Sequence, residues 1–593
     1  MTKLLVLFLG LIMVFPVPLQ AEEILLEAHL DVLDQDGYPQ GYIRPRQPFA
    51  LEVVIQGEHV LDLVKIGLKV FDGSTLLYQG EAPCETEADQ GLFRTPLLSF
   101  DRLPGTLETV IYIETTDAKH KELGRLKVYV VDQPLTLPPD RVIMVSKDRL
   151  EFEFHGEYPI SPTAPVYEHF PDGAKPIKFS DFIVGAKEVQ ATVFQGEIVR
   201  IDILTPQRID RMRVLLTTNQ FASTDHTKLE LTPVGAGFVV EERRSGRGFF
   251  VSPEEQITIS ADEEKLLFTD PSGEQWEFTN RVYITPFSGG QIRIDSFQRG
   301  VSPKFYPQYR GVFEVTLRPG GKFQVINEVS LEEYLYLVVP SEMPVSWPLE
   351  ALKAQAVAAR TFAVAQALQS RNGARGYHVD DSTSSQVYNN HPEADRTSLA
   401  IDQTAGQVLQ HPDGRITSSY FYASSPADSA SPWYKWSFTL SATELNNMLQ
   451  KTLAKSIGTV TNLKITERDS TGKAICLLIE GSSGTVEVRG ELNIRSVLRP
   501  AKQYTDGADV VMERTGGRVL NQALLPSAYF SMDIARDEAG RISSINFAGG
   551  GSGHGLGMSQ WGAKQMADSG HSYEEILARY YPERQLVLYN ADE

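Results

Sequence analysis

The stretch Val339-Pro340-Ser341-Glu342-Met343-Pro344-Val345-Ser346-Trp347-Pro348 runs directly into Leu349-Glu350-Ala351-Leu352-Lys353-Ala354-Gln355-Ala356-Val357-Ala358-Ala359-Arg360-Thr361. Its first half sets one carboxylate among Val339, Met343, Val345 and Trp347, in a proline-fixed turn at the mouth of a helix. A poorly hydrated carboxylate keeps its proton to higher pH, which suits a general acid. An alternative is a structural carboxylate near a helix start, where the dipole favours negative charge. The second half predicts a helix from about Pro348 to Gln369, with Pro348 in its first turn and Ser346 available as a cap. That helix is apolar on nearly every side, so it is expected to be buried. Lys353 and Arg360 share one face of it with Leu349, Val357 and Val364. Cations on such a stripe need partners. Either their stems carry the charges out to solvent, or they point toward Glu342 or an anionic substrate.

Before this helix the chain reads as strands. From Glu22 to about Val131, runs such as Phe49-Ala50-Leu51-Glu52-Val53-Val54-Ile55 and Thr109-Val110-Ile111-Tyr112-Ile113 are separated by turn clusters such as Asp72-Gly73-Ser74. Their spacing predicts an immunoglobulin-like β-sandwich over 22–133. Residues 134–205 read as a stiff linker and short strands broken by Pro159, Pro162, Pro165 and Pro171. Strands resume at Arg211-Met212-Arg213-Val214-Leu215-Leu216, and further helices are predicted at Ala442 to Ser456 and Tyr573 to Tyr581. The expected fold class is α+β, with residues 206–593 as one mixed domain behind the sandwich.

Lys3, the apolar run Leu4 to Phe15 and Pro16-Val17-Pro18 predict an export signal over 1–21, too short to span a bilayer. No later segment reads as a membrane span. The mature chain is therefore expected outside the cytoplasm, in the periplasm or cell envelope. A formal net charge of −20, with no basic cluster, argues against a nucleic-acid partner. Cys84 and Cys476 provide neither a disulfide framework nor a thiolate metal site.

Two more motifs carry polar chemistry. Gly549-Gly550-Gly551-Ser552-Gly553-His554-Gly555-Leu556-Gly557-Met558-Ser559-Gln560-Trp561-Gly562-Ala563 sets His554 and Gln560 on a glycine-rich loop. It lacks the Gly-Lys-Ser/Thr ending of a phosphate loop and the Gly-x-Ser-x-Gly elbow of a serine hydrolase, and a plain turn is the alternative. Tyr377-His378-Val379-Asp380-Asp381-Ser382-Thr383-Ser384-Ser385-Gln386-Val387-Tyr388 and Ser418-Ser419-Tyr420-Phe421-Tyr422-Ala423-Ser424-Ser425 combine hydroxyls, an amide and phenols, as sugar recognition requires. A polar loop and a half-buried strand would give the same pattern.

Leu331-Glu332-Glu333-Tyr334-Leu335, Ser341-Glu342-Met343-Pro344, the run Pro348 to Thr361, Gln386-Val387-Tyr388 and the run Gly553 to Ala563 occur in the order of the SpoIID/LytB family, which the chain resembles from about residue 210 onward. The resemblance implies a lytic transglycosylase of peptidoglycan glycan strands, with Glu342 as its acid and then its base and no cofactor. Lys353, Arg360, Gln386, Tyr388, Ser424, His554 and Gln560 become candidates for binding substrate or supporting the site. The resemblance equally implies a noncatalytic, glycan-binding amidase enhancer or scaffold, with a cell-wall amidase as candidate partner. Two departures stand out. Asp380, Ser384 and Ser385 occupy the positions where some members carry a Cys-containing metal site, so no metal is expected there. Pro426-Ala427-Asp428-Ser429 replaces a small Gly-Gly segment, and is expected to reshape the substrate groove.

Overall fold

The computed structural model describes residues 26–589 apart from 36–40, 58–62, 84, 88–89, 101–104 and 116–119. The expected export signal and Cys84 lie outside the described residues. The chain is mostly β, 43% strand and 16% helix.

Two sheets come first. One is ordered Leu26–Asp34, Phe49–Gly57, Gln90–Arg94, Glu85–Glu87, and the other Tyr42–Ile43, His120–Val130, Gly105–Thr115, Leu63–Asp72, Thr75–Pro83. Alternation along their strands sends Leu51, Val53 and Ile55 from the first and Ile66, Leu68 and Val70 from the second into one shared core.

The stretch expected to combine a linker with short strands holds the strands but is packed throughout. A five-stranded sheet (Leu135–Thr136, Val189–Phe194, Glu197–Ile203, Val166–Phe170, Gly173–Ile177) and a three-stranded one (Val142–Val145, Arg149–Phe152, Gly156–Pro159) enclose Val142, Phe152, Phe182, Val189 and Ile201. Of the prolines read as breaking short strands, Pro159 closes one strand, Pro165 immediately precedes another and Pro171 follows it. Proline is tolerated there because no ladder hydrogen bond is lost. Buried charge locks this middle unit to the domain after it. Arg213, 1% exposed, pairs with Glu314 at 2.7 Å and Glu328 at 2.8 Å; Arg141 from the middle unit also pairs with Glu328, and Arg281 bridges Glu314 and the middle unit's Glu151.

The next domain places a seven-stranded sheet, running from Arg247–Val251 at one edge to Val379–Asp380 at the other, and a six-stranded sheet around a core shared with five helices. These helices are α1 (Leu331–Glu342), α2 (Leu349–Leu368), α3 (Asp395–Asp402), α6 (Gln560–Asp568) and α7 (Tyr573–Tyr580). The sequence reading found α2 and α7 but not α1. Ser330 caps α1 by accepting from the Glu333 N–H, and Pro340 lies inside its last turn. At the start of α2, Pro348 occupies the cap position with no side-chain cap, so Ser346 does not fill that role.

Residues 206–593 are also not one continuous domain. Between Phe421–Tyr422 and Met558–Ser559, which pair in parallel, the chain builds a separate unit. It has a five-stranded sheet centred on Trp436–Ser441, a three-stranded sheet (Val460–Arg468, Ala474–Gly481, Gly484–Arg489), and the helices α4 (Ala442–Thr452) and α5 (Glu491–Val497). Its own core contains Phe438, Leu445, Leu477, Ile494 and Phe547. Ser424 and Ser552 pair where the unit joins the host.

Candidate active site

Glu342 is the last residue of α1, which reverses the helix-start alternative. At a helix C-terminus the exposed carbonyls oppose negative charge. Burial pushes the Glu342 carboxyl up to about 7, and hydrogen bonds from the Val387 N–H and the Gln560 side chain pull it partly back. Val387 donates to Oε1 at 2.9 Å. The carboxyl lines an open cleft of about 490 Å³, with Val301, Phe305, Ser341, Met343, Asn390 and His391 among its walls. Glu342 is the only acidic residue among the described residues lining it. A group poised near neutral pH and open to a ligand can both give and take a proton.

Three segments hold this carboxyl. The turn after it closes through the Trp347 N–H and the Pro344 carbonyl (3.0 Å). Trp347 packs edge-on to Trp561 at 5.0 Å between ring centres, which docks the start of α6, and so Gln560, beside the turn. Gln560 also donates to Gln355 of α2 at 3.4 Å. The Gln386-Val387-Tyr388 segment is fixed from below. Tyr334 donates to Gln386 Oε1 (3.0 Å), Gln386 donates to the Ala359 carbonyl (3.3 Å), and Tyr388 donates to Asn327 (2.7 Å). Gln386 and Tyr388 are both buried. They hold the backbone that supplies the Val387 N–H rather than reaching the cleft themselves.

The basic pair proposed from α2 does not reach Glu342. Arg360, fully buried, forms a two-pronged ion pair with Glu332 of α1 (2.8 and 2.6 Å) and donates to the Gln407 carbonyl (3.1 Å). Lys353 pairs with Glu350 at 2.8 Å and lies over the Tyr573 ring. The Arg360 pair ties α2 to α1, whereas the Lys353 ion pair lies within α2 and its ammonium reaches α7 only over the Tyr573 ring.

His554 is likewise engaged elsewhere. Its Nε2 lies 2.9 Å from the Phe421 carbonyl, its Nδ1 accepts from the Leu556 N–H at 3.1 Å, and burial lowers its pKa. A neutral ring with both nitrogens occupied pins the glycine-rich loop to the strand Phe421–Tyr422. Within that loop Gly557 has φ +73°, and a Cβ there would meet the Tyr420 carbonyl at 1.8 Å, so only glycine fits. Ser424 joins this loop by backbone pairing with Ser552 (3.0 and 2.8 Å), while its buried hydroxyl has no hydrogen-bond partner.

The two departures have local accounts. Asp380 Oδ1 accepts from the Ser382 N–H (2.9 Å) and hydroxyl (2.6 Å), and Ser385 Oγ accepts from the Asp380 N–H (3.1 Å). Neighbouring Asp381, fully buried, pairs with Arg299 at 2.7 Å and accepts from the Thr217 hydroxyl at 2.6 Å. Among the described residues no group of three or more His, Cys, Asp or Glu is arranged to hold a metal. In the replaced Gly-Gly segment, Asp428 accepts from the Ser559 hydroxyl and the Ser425 N–H, both at 2.5 Å, so the segment steadies the capped start of α6.

Sequence reasoning missed the wall formed by Gly300 to Phe305 and the support from Arg299. Arg299 and Phe305 exchange backbone hydrogen bonds (2.9 and 3.0 Å), and Gly300 donates to Asn390 at 3.1 Å. The only sequence signal was the cluster Gly300-Val301-Ser302-Pro303, which reads as an ordinary turn.

A family model described as Stage II sporulation protein matches residues 319–411, and one described as Domain of unknown function (DUF8618) matches 407–505. An uncharacterized protein of Brachyspira hyodysenteriae is 32% identical over 294 residues, covering 45% of this chain and 69% of its own. Stage II sporulation protein D of Bacillus subtilis is 30% identical over 303 residues, covering 44% and 76%. The amidase enhancer of Bacillus subtilis is 29% identical over 296 residues, covering 42% of this chain but 40% of the enhancer. Glu342, α1, α2 and the Gln386-Val387-Tyr388 segment all fall within the matched 319–411, and the chain belongs to the SpoIID family.

Proposed function

We propose that this protein cuts peptidoglycan glycan strands by lytic transglycosylation, with Glu342 as the single acid and base. The observation that carries this reading is a carboxyl held near neutral pKa in an open cleft whose described lining contains no second carboxyl. A glycosidase that activates water or forms a glycosyl-enzyme needs two carboxyl groups across the bond. A transglycosylase needs one. Protonated Glu342 gives its proton to the glycosidic oxygen between N-acetylmuramic acid and N-acetylglucosamine as the C1–O bond breaks. The resulting carboxylate takes the proton of the muramic acid C6 hydroxyl, whose oxygen bonds to C1. The strand ends in a 1,6-anhydro sugar, Glu342 regains its proton, and neither water nor a cofactor is consumed.

The test is mass spectrometry of muropeptides after incubation with denuded and with peptide-bearing glycan. Anhydro ends are expected from wild type and none from Glu342→Gln; wild type yielding none on either substrate overturns the reading. A second reading, a glycan-binding amidase enhancer or scaffold, is favoured by the relative of that name, and predicts binding with no cut strands together with stimulation of a cell-wall amidase. Both readings place the protein outside the cytoplasm, in the periplasm or cell envelope. Among the described residues no helix is long and apolar enough to cross a membrane. In both, residues 22–133 act as an immunoglobulin-like positioning module, and Ser424, His554 and Gln560 support the groove.

A further inference from the structure

A second cleft, about 670 Å³ in volume, lies against the first and shares its walls Phe305 and Pro392. Gln291, Arg293, Tyr306, Gln308 and Asn389 contribute much of the remaining lining. All but Asn389 come from the strands Gln291–Ile294 and Gln308–Tyr309 and the loop between them. That sheet precedes residues 319–411, so the cleft extends the Glu342 site with surface from outside the matched region.

Its chemistry indicates a ligand that is neutral, flat-faced and rich in hydroxyls. Tyr306 leaves 46% of its surface exposed beside half-buried Phe305, offering aromatic faces for a sugar ring. Gln291 and Gln308 add amides able to donate and accept. The charges are already matched, Arg293 with Asp295 at 2.6 Å and Glu393 with Arg310 at 2.7 Å, which leaves little attraction for an anion. Asn389 backs this wall from inside: it is fully buried, and its Nδ2 donates to the Gln308 carbonyl at 2.8 Å, which fixes the strand that carries Gln308.

We infer that the second cleft holds further sugar units of the same strand, so that the protein engages the interior of a glycan several sugars long. The identity of the strand rests on the transglycosylase reading; the cleft itself is tested by binding alone. Glu342→Gln protein is titrated calorimetrically with N-acetylglucosamine oligomers from the disaccharide to the hexasaccharide. Affinity is expected to rise at least about tenfold with length, equivalent to about 1.4 kcal/mol. Adding Tyr306→Ala or Gln308→Ala is expected to cut that rise to about twofold or less. Tyr306 and Gln308 are both exposed, so both variants keep the fold. Affinity that is flat with length or undetectable, or a full rise retained in both variants, overturns the inference. If binding rises with length but wild type makes no anhydro ends, the chemistry fails and the cleft stands. If anhydro ends form while binding stays flat, the cleft fails alone.

Discussion

Replacing Glu342 by Gln removes a charge that the native state accommodates badly, so the variant should lose activity and gain stability above neutral pH. Burial raises this carboxyl from 4.5 to about 7. A tenfold change in proton affinity corresponds to about 1.4 kcal/mol, so the charged form costs the native state up to about 3 kcal/mol. Because the carboxyl opens onto a cleft, water relieves part of this, and about 2 kcal/mol is the working figure. Below the unfolded value both states hold the proton and no penalty exists. As pH rises from about 4.5 to about 7, the native state keeps a proton that the unfolded state has lost, and wild-type stability falls; above about 7 the loss is complete. Gln preserves an acceptor for the Val387 N–H. Calorimetric unfolding of both proteins should therefore show near-equal stability at about pH 4 and an advantage of about 2 kcal/mol for Glu342→Gln at about pH 8. In a domain of this size that is roughly 4–8 °C in the transition containing α1. A difference between the two proteins that does not change with pH refutes the desolvation account.

The glycan-cutting rate should fall about tenfold per pH unit above about 7, as the acid form of Glu342 is titrated away, in a pH–rate profile on denuded strands. Arg360→Met should lower stability by about 1–3 kcal/mol, mainly because the Gln407 and Ile401 carbonyls lose their buried donor while Glu332, about a third exposed, keeps the Gly406 N–H, whereas Lys353→Met should stay within about 1 kcal/mol, both read by denaturant titration. Asp381→Asn should slacken both the Val387 segment and the Gly300–Phe305 wall, giving faster amide exchange at Val387 and Gly300 than in wild type. A chelator should leave the melting temperature unchanged, since hydrogen bonds among Asp380, Ser382 and Ser385 close that segment on itself.

The helix α2 was legible because its twenty residues are dominated by alanine and other strong helix formers, with no Gly or Pro among them. Its neighbour α1 was not, because Pro340 and the short, mostly buried run before it suppress any amphipathic period. Spacing placed Lys353 and Arg360 correctly on α2, but their partners Glu332 and Glu350 are chosen by packing, which no one-dimensional pattern records. The Gln386 and His554 motifs were visible as polar clusters, while their work, holding Val387 and the glycine loop, is done through backbone atoms that carry no residue label. The inserted unit was hidden for a related reason. Its strands look like the host's, and only the separation of two cores distinguishes them.

That insertion has a consequence for how the protein can change over generations. The chain departs and returns at neighbouring positions, since Ser424 pairs with Ser552 and the Gly551 N–H donates to the Trp433 carbonyl at 2.8 Å. A short turn could bridge the same gap. With its own core and neighbouring ends, the module is joined to the host as a graft is, so that replacing it leaves Glu342 and its supports on α1 and α2 where they are. Exchange has its tolls, because Lys473 and Tyr529 of the module brace the loop around His554 and Gly555 and Asp428 holds Ser559 at the start of α6, and any replacement must supply these braces again.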